Sequence, residues 1–167
     1  MVSRRTLLGS AALGGAAAAV AATFGFRDSE AASPMSKFEI SKTDAEWKRQ
    51  LTPAQYYVLR EHGTERAGTS PLDREKRKGT FHCAGCDLPL FASATKYDSG
   101  TGWPSFWQPL ANAVGTSEDN TLFMTRIEVH CRRCGGHLGH VFDDGPAPTG
   151  KRYCMNGVAM TFKAAVA

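Results

Sequence analysis

The five cysteines of this chain divide by spacing into four and one. Cys83 and Cys86 form CAGC, Cys131 and Cys134 form CRRC, and Cys154 stands alone in KRYCMNG. A CxxC turn aims two sulfurs at one point, and two such turns facing each other complete a tetrahedron of thiolates suited to zinc. Two disulfides or a redox CxxC are the competing readings, and an oxidising compartment would favour the disulfides. A four-thiolate site adds folding energy once loaded on reduced thiols, so one structural zinc ion per chain is the expectation. With all four ligands supplied by protein, that ion keeps no open position for chemistry.

Cys154 is then the chemically available thiol. If KRYCMNG is a strand, Arg152, Cys154 and Asn156 project from one face and Tyr153 and Met155 from the other. A guanidinium near the thiol favours thiolate, so Arg152 is expected to lower the Cys154 pKa. Most lone cysteines are buried and inert, and Cys154 gains interest only from its company. GGHLGHVFDDGP places His137, His140, Asp143 and Asp144 within one short stretch, dense for proton-handling groups. A histidine beside a thiol serves as base or as proton donor to a leaving oxygen. SGTGWPSFW puts Trp103, Phe106 and Trp107 on a Gly/Pro-rich loop, where they form either core or the wall of an apolar subsite.

The elements that must hold these groups come in two kinds. SKTDAEWKRQL and TPAQYYVLREHG each open on a helix signal, Thr43 or Asp44 in the first and Thr52 with Pro53 in the second, with Gly63 as the stop. From Gly79 onward, TFHC, PLFAS, LFMTRIEVH, HLGHVF, KRYCMN and VAMTFKA read as short strands broken by Gly, Pro, Asn and Asp. Strands without intervening helices predict a mainly β fold of two packed antiparallel sheets, with the short helices to one side.

Residues 1–35 read differently from the rest. MVSRRTLLGSAALGGAAAAVAATFGF is a basic start followed by an Ala/Gly-rich run and then SEAAS, the order of an export signal. Arg4 and Arg5 before Thr6-Leu7-Leu8 resemble the twin-arginine pattern, with Leu7 where that pattern usually has Phe. The expectation is a signal and linker over 1–35, a single domain over 36–167, and a periplasmic or cell-envelope destination. Arg4, Arg5, Arg27, Asp28 and Glu30 account for +1 of the formal +4, so the domain carries +3. That balance does not suggest a nucleic-acid protein, and no membrane association is expected once the signal is removed.

Taken in order, SGTGWPSF, CRRCGGHLGHVFDDGP and RYCMNG resemble the defining motifs of the B-type methionine sulfoxide reductases, the MsrB family. The similarity runs from about Phe38 to Phe162 and includes LTPAQYYVLREHGTE and both CxxC pairs. It implies an enzyme that reduces the R epimer of methionine sulfoxide in oxidised proteins or peptides. It also implies two antiparallel sheets with the zinc far from the catalytic face. Cys154 matches the nucleophile, and His137 and His140 match histidines that shape the site and protonate the departing oxygen. Asp144, Arg152 and Asn156 match positions that hold the histidine network and the thiol, and Trp103 matches the indole that packs on the substrate methyl.

One position departs from the pattern. Many family members carry a resolving cysteine two residues before the Trp of GWPSF, and here that residue is Thr101. With four cysteines assigned to zinc, the usual internal disulfide has no second thiol. A Cys154 sulfenic acid is therefore expected to meet an external reductant, either a thioredoxin-like protein or a small thiol. A monomer is the expected state. The rival classes are a zinc-ribbon module that docks nucleic acid or protein, and a sulfoxide-binding relative without turnover.

Overall fold

The computed structural model describes residues 38–121 and 124–166; the twin-arginine-like segment and Leu122 and Phe123 of LFMTRIEVH lie outside them. Two short helices come first among the described residues. Helix α1 (Asp44–Gln50) and helix α2 (Pro53–Glu61) each begin with a capping box, Thr43 with Glu46 and Thr52 with Gln55. In each box the threonine hydroxyl and the third-residue side chain satisfy one another's backbone N–H groups, which fixes the helix start. Helix α2 ends on His62, in the left-handed conformation at φ 55°, rather than on the glycine after it. Gly63 instead lies under the Tyr57 ring, where a Cβ would fall 2.2 Å from a ring carbon. No helix among the described residues is long and apolar enough to cross a membrane.

Nine strands follow among the described residues: β1 (Gly79–Cys83), β2 (Pro89–Ala92), β3 (Lys96–Tyr97), β4 (Ser105–Phe106), β5 (Val114–Asp119), β6 (Arg126–Cys131), β7 (His137–Phe142), β8 (Arg152–Met155) and β9 (Met160–Ala164). They form a three-stranded sheet, β2-β1-β9, and a six-stranded sheet, β3-β4-β8-β7-β6-β5, and every pairing is antiparallel. The expected mainly β architecture of two antiparallel sheets with short N-terminal helices is therefore present. Three strands were not expected: β3 and β4 are two residues long, and β5 is largely polar.

The sheets meet through aromatic rings. Phe91 of β2 stacks on Phe106 of β4 at 4.3 Å between centroids, and Phe81 of β1 meets Phe106 edge-on at 4.9 Å. All three are fully buried, so Phe106 belongs to the core and not to a substrate wall. Phe106 and Tyr153 pair directly across β4 and β8 and so share one face of the large sheet. The neighbouring row, Ser105, Cys154, His140 and Glu128, has the opposite face because side chains alternate along a strand. One face of the six-stranded sheet thus builds the core and leaves the other for polar chemistry.

Candidate active site

Register alone assembles the centre of the site. Ser105 of β4 pairs with Cys154 of β8, Cys154 with His140 of β7, His140 with Glu128 of β6, and Glu128 with Ser117 of β5. Five strands place one polar residue each on a single cross-strand row. His137 stands three residues from His140 and in a regular strand would face the core. The register shift between Val129 and His130 leaves Leu138 as an extra residue, so that His137 opposes His130 and joins the row's face. Leu138 fills the core in its place. Gly139 permits the closeness of β7 and β8, since a Cβ there would sit 2.1 Å from the Cys154 carbonyl oxygen.

Each histidine is oriented by a carboxylate. His140 donates from Nε2 to Asp119 Oδ2 at 2.7 Å, and His137 donates from Nδ1 to Glu128 Oε1 at 2.7 Å. The Thr121 hydroxyl and backbone N–H, with His140, hold the Asp119 carboxyl well below the usual carboxylate range. The His137 bond, aided by Ser117 and opposed by burial, brings Glu128 down to about 2. Both acids are therefore anions at neutral pH, which assigns the bonding proton of each pair to the imidazole. Burial pushes the His140 pKa below its ordinary value despite Asp119. His140 is consequently a neutral ring whose Nδ1 is free to exchange a proton. His137 is buried, and its Nε2 has no protein partner.

Cys154 lies among a guanidinium and two hydroxyls. Thr101 Oγ1 is 3.9 Å from its sulfur, and Ser99 Oγ bonds both Thr101 at 2.8 Å and Ser105 at 2.7 Å. Burial pushes the thiol pKa up, and Thr101, Arg152 and Ser105 oppose that rise without cancelling it. This corrects the expectation of a lowered pKa: in the resting protein the cost of desolvating the thiolate exceeds the attraction of Arg152. Arg152 is itself fixed by a two-pronged bond to Asp144, 2.8 Å on each arm, and lies 4.4 Å over the Phe142 ring. Asp144 thus reaches the site only through Arg152, and its side chain is 62% exposed. Asp119 and Glu128 take the place beside the histidines.

Trp103, Cys154, His140 and Asn156 line a small cavity of about 130 Å³ together with Thr64, Arg126, Gly139 and Phe142. A larger apolar groove of about 460 Å³ between Tyr57, Leu72 and Val158 contains neither Cys154 nor a histidine, so size alone would misplace the site. Strand β8 ends at Met155, and Asn156 turns inward. Its Nδ2 donates to Leu138 O at 3.1 Å, and its Oδ1 accepts from Glu65 N at 2.9 Å. Glu65 also accepts the Trp103 indole N–H on its carbonyl at 3.2 Å, and its carboxylate accepts from Gly157 N at 2.6 Å and Val158 N at 2.9 Å. One residue ties the indole wall to the strand that carries the thiol.

The other four cysteines come together at the far ends of β1 and β6. Both turns are built alike: Cys83 N bonds Leu88 O and Asp87 N bonds Cys83 O, while Cys131 N bonds Gly136 O and Gly135 N bonds Cys131 O. Asp87 and Gly135 hold the equivalent left-handed positions. The sulfur of Cys83 is 3.7 Å from that of Cys134, Cys86 is 3.5 Å from Cys131, and all four lie within 4.8 Å. A disulfide needs about 2.05 Å between sulfurs, whereas a thiolate tetrahedron with bonds of about 2.3 Å has edges near 3.8 Å. The cluster has the size of a tetrahedral thiolate site.

The profile of the SelR domain matches residues 51–164, most of the chain and all of the site's strands. The chain belongs to the SelR family. Its relatives include the peptide methionine sulfoxide reductase MsrB of Agrobacterium fabrum, 53% identical over 132 residues, covering 78% of this chain and 98% of that protein. The MsrB of Methanosarcina barkeri is 55% identical over 130 residues, 77% of this chain and 92% of its own length. That of Pseudomonas putida is 54% identical over 126 residues, 75% and 95%.

Within this SelR chain the residues singled out from sequence fall into three groups. Cys154, His140, Trp103 and Asn156 share the small cavity, with His137 and Arg152 against its members. Cys83, Cys86, Cys131 and Cys134 form the separate cluster. Asp144 stands at the rim. Sequence reasoning missed Glu65, Asp119, Arg126 and Glu128. The alternation of Arg126, Glu128 and His130 along β6 was the available signal for two of them.

Proposed function

We propose that this protein reduces methionine (R)-sulfoxide, chiefly in proteins and peptides, with Cys154 as nucleophile. The observation that carries the reading is the direct pairing of Cys154 with His140 in a cavity walled by Trp103. A sulfoxide sulfur is a weak electrophile until its oxygen accepts a proton, so thiolate and acid must meet it together. Trp103 supplies an apolar surface for the methyl group. His140 at Nδ1, steadied by Asp119, or His137 at Nε2, steadied by Glu128, supplies the proton after taking one up there. Arg152 and the Thr101 and Ser105 hydroxyls stabilise the thiolate as it forms. The Cys154 thiolate attacks the sulfoxide sulfur as its oxygen takes up the proton; the methionine S–O bond breaks and the hydroxyl passes to the Cys154 sulfur, giving Cys154 sulfenic acid and methionine.

The second half-reaction needs a thiol from outside, from a thioredoxin-like protein or a small molecule. Thr101 faces Cys154 at the position where many members of the family carry a resolving cysteine. An external thiol displaces water from the sulfenic acid to give a mixed disulfide, and a second thiol releases Cys154 and leaves as a disulfide. Cys83, Cys86, Cys131 and Cys134 would hold one zinc ion, which supplies folding energy and takes no part in the reaction. The chain acts as a monomer, with no nucleic acid and no membrane anchor after processing.

Export through a twin-arginine route completes the reading, supported by Arg4-Arg5 ahead of an Ala/Gly-rich run. A route for folded protein suits a metal site that loads on reduced thiols. Replacing both arginines by lysine should leave the protein in the cytosolic fraction; unaltered export would contradict this part. For the chemistry, one turnover without reductant should add a single oxygen to Cys154, trappable by dimedone. A disulfide between Cys154 and any zinc-site cysteine would overturn it.

A further inference from the structure

Glu128 has two imidazoles on the same oxygen. His137 Nδ1 lies 2.7 Å and His62 Nδ1 3.0 Å from Glu128 Oε1, and the three ligand atoms fall within 4.8 Å of one another. Orientation of His137 requires Glu128 alone, and His62 does not line the cavity of Cys154. Its presence is unexplained by sulfoxide chemistry. Two nitrogens and a carboxylate oxygen converging on one point are a donor set for a divalent ion of the zinc type.

The surroundings support the same conclusion. Glu128 Oε2 is fixed by the Ser117 hydroxyl at 2.8 Å, so Oε1 is presented in a constant direction. His62 is held at the end of α2 in its left-handed conformation, yet its side chain is 64% exposed. Bonds of about 2.0 to 2.2 Å in a tetrahedron place ligand atoms about 3.3 to 3.6 Å apart, so His62 must retreat by a few tenths of an ångström and the Glu128–His137 pair must open by somewhat more. A cavity of about 420 Å³ opens beside the trio, bordered by Glu61, Glu118, Asp119 and one cation, Arg126, which is paired to Asp119 at 2.7 Å. Its acidic excess favours entry of a cation.

We infer that His62, Glu128 and His137 form a second metal site, separate from the four cysteines, whose occupation by a zinc-type ion inhibits the enzyme. The ion replaces the protons on both Nδ1 atoms and leaves a coordination position toward the acidic cavity. It withdraws His137 and its carboxylate from proton transfer while leaving Cys154 and Trp103 in place.

Zinc titrated calorimetrically into protein with its cysteine site already filled, carrying Cys154→Ser so that this thiol does not compete, should show one further equivalent. His62→Asn tests the assignment, because asparagine accepts the left-handed position. That substitution should weaken the extra equivalent at least about tenfold. In single-turnover assays with pre-reduced enzyme and no added thiol, zinc should inhibit the wild type, and His62→Asn should need at least about ten times more for the same inhibition. Turnover of His62→Asn without added zinc should match the wild type. An absent extra equivalent, or one that His62→Asn retains, would overturn the assignment whether or not the protein reduces sulfoxides. Binding without inhibition would remove the inhibitory role.

Discussion

The reactivity of Cys154 is a balance between burial and three polar neighbours, and the balance sets its pH behaviour. Burial raises the thiol pKa and Arg152 is among the groups that lower it. Arg152→Met should therefore raise it further, moving the pH profile of Cys154 alkylation by iodoacetamide upward. Turnover at pH 7 should fall by about tenfold, one pKa unit's worth of thiolate; a profile that does not move would show that Arg152 serves only the fold. Thr101 gives a second prediction at this scale. With its hydroxyl 3.9 Å from the Cys154 sulfur, Thr101→Cys should convert the sulfenic acid to an intramolecular disulfide after one turnover. Loss of the dimedone adduct and loss of two free thiols would register it. Motifs disclosed which residues matter but not the sign of the thiol shift, because desolvation depends on what β4 and β7 bring over Cys154.

Strand register is what turns scattered residues into a site. Ser105, Cys154, His140 and Glu128 are 49 residues apart at most in sequence order, from Ser105 to Cys154, and adjacent in the sheet. The strands HLGHVF and RYCM were legible from their apolar patterning. Strand β5 was not, because its VGTSED sequence lies at a sheet edge with one partner and needs little apolar surface. Missing β5 hid Asp119, and missing the bulge at Leu138 hid why two histidines three apart can share a face. Gly139→Ala should test the β7–β8 approach: a methyl 2.1 Å from the Cys154 carbonyl cannot be accommodated without parting the strands. A loss of about 3 kcal/mol or more in denaturant unfolding is expected, against under about 0.5 for a surface substitution. Glu65→Ala should cost about 2 kcal/mol, since two backbone N–H groups lose a charged acceptor. It should also lower kcat/KM by loosening Asn156 and Trp103 together.

The whole molecule separates stability from chemistry. One face of the six-stranded sheet closes the aromatic core, the other carries the reactive row, and the cysteine cluster ties the ends of β1 and β6 under α1 and α2. Gln50 reaches Gly85 O at 2.6 Å and Arg60 reaches Cys134 O at 3.1 Å, so the helices bear on the knuckles themselves. Fold class, both helices and the four-cysteine cluster were legible because capping boxes and CxxC turns are local. The carboxylates behind the histidines were not, because their role exists only across strands. Reduction of one sulfoxide epimer through Cys154 is the activity proposed for this site. Peptides carrying methionine R-sulfoxide and S-sulfoxide, assayed with dithiothreitol for wild type and Cys154→Ser, test it most directly. Turnover of the R epimer alone, abolished in Cys154→Ser, is the expected result; equal turnover of the S epimer or an active Cys154→Ser protein would contradict it.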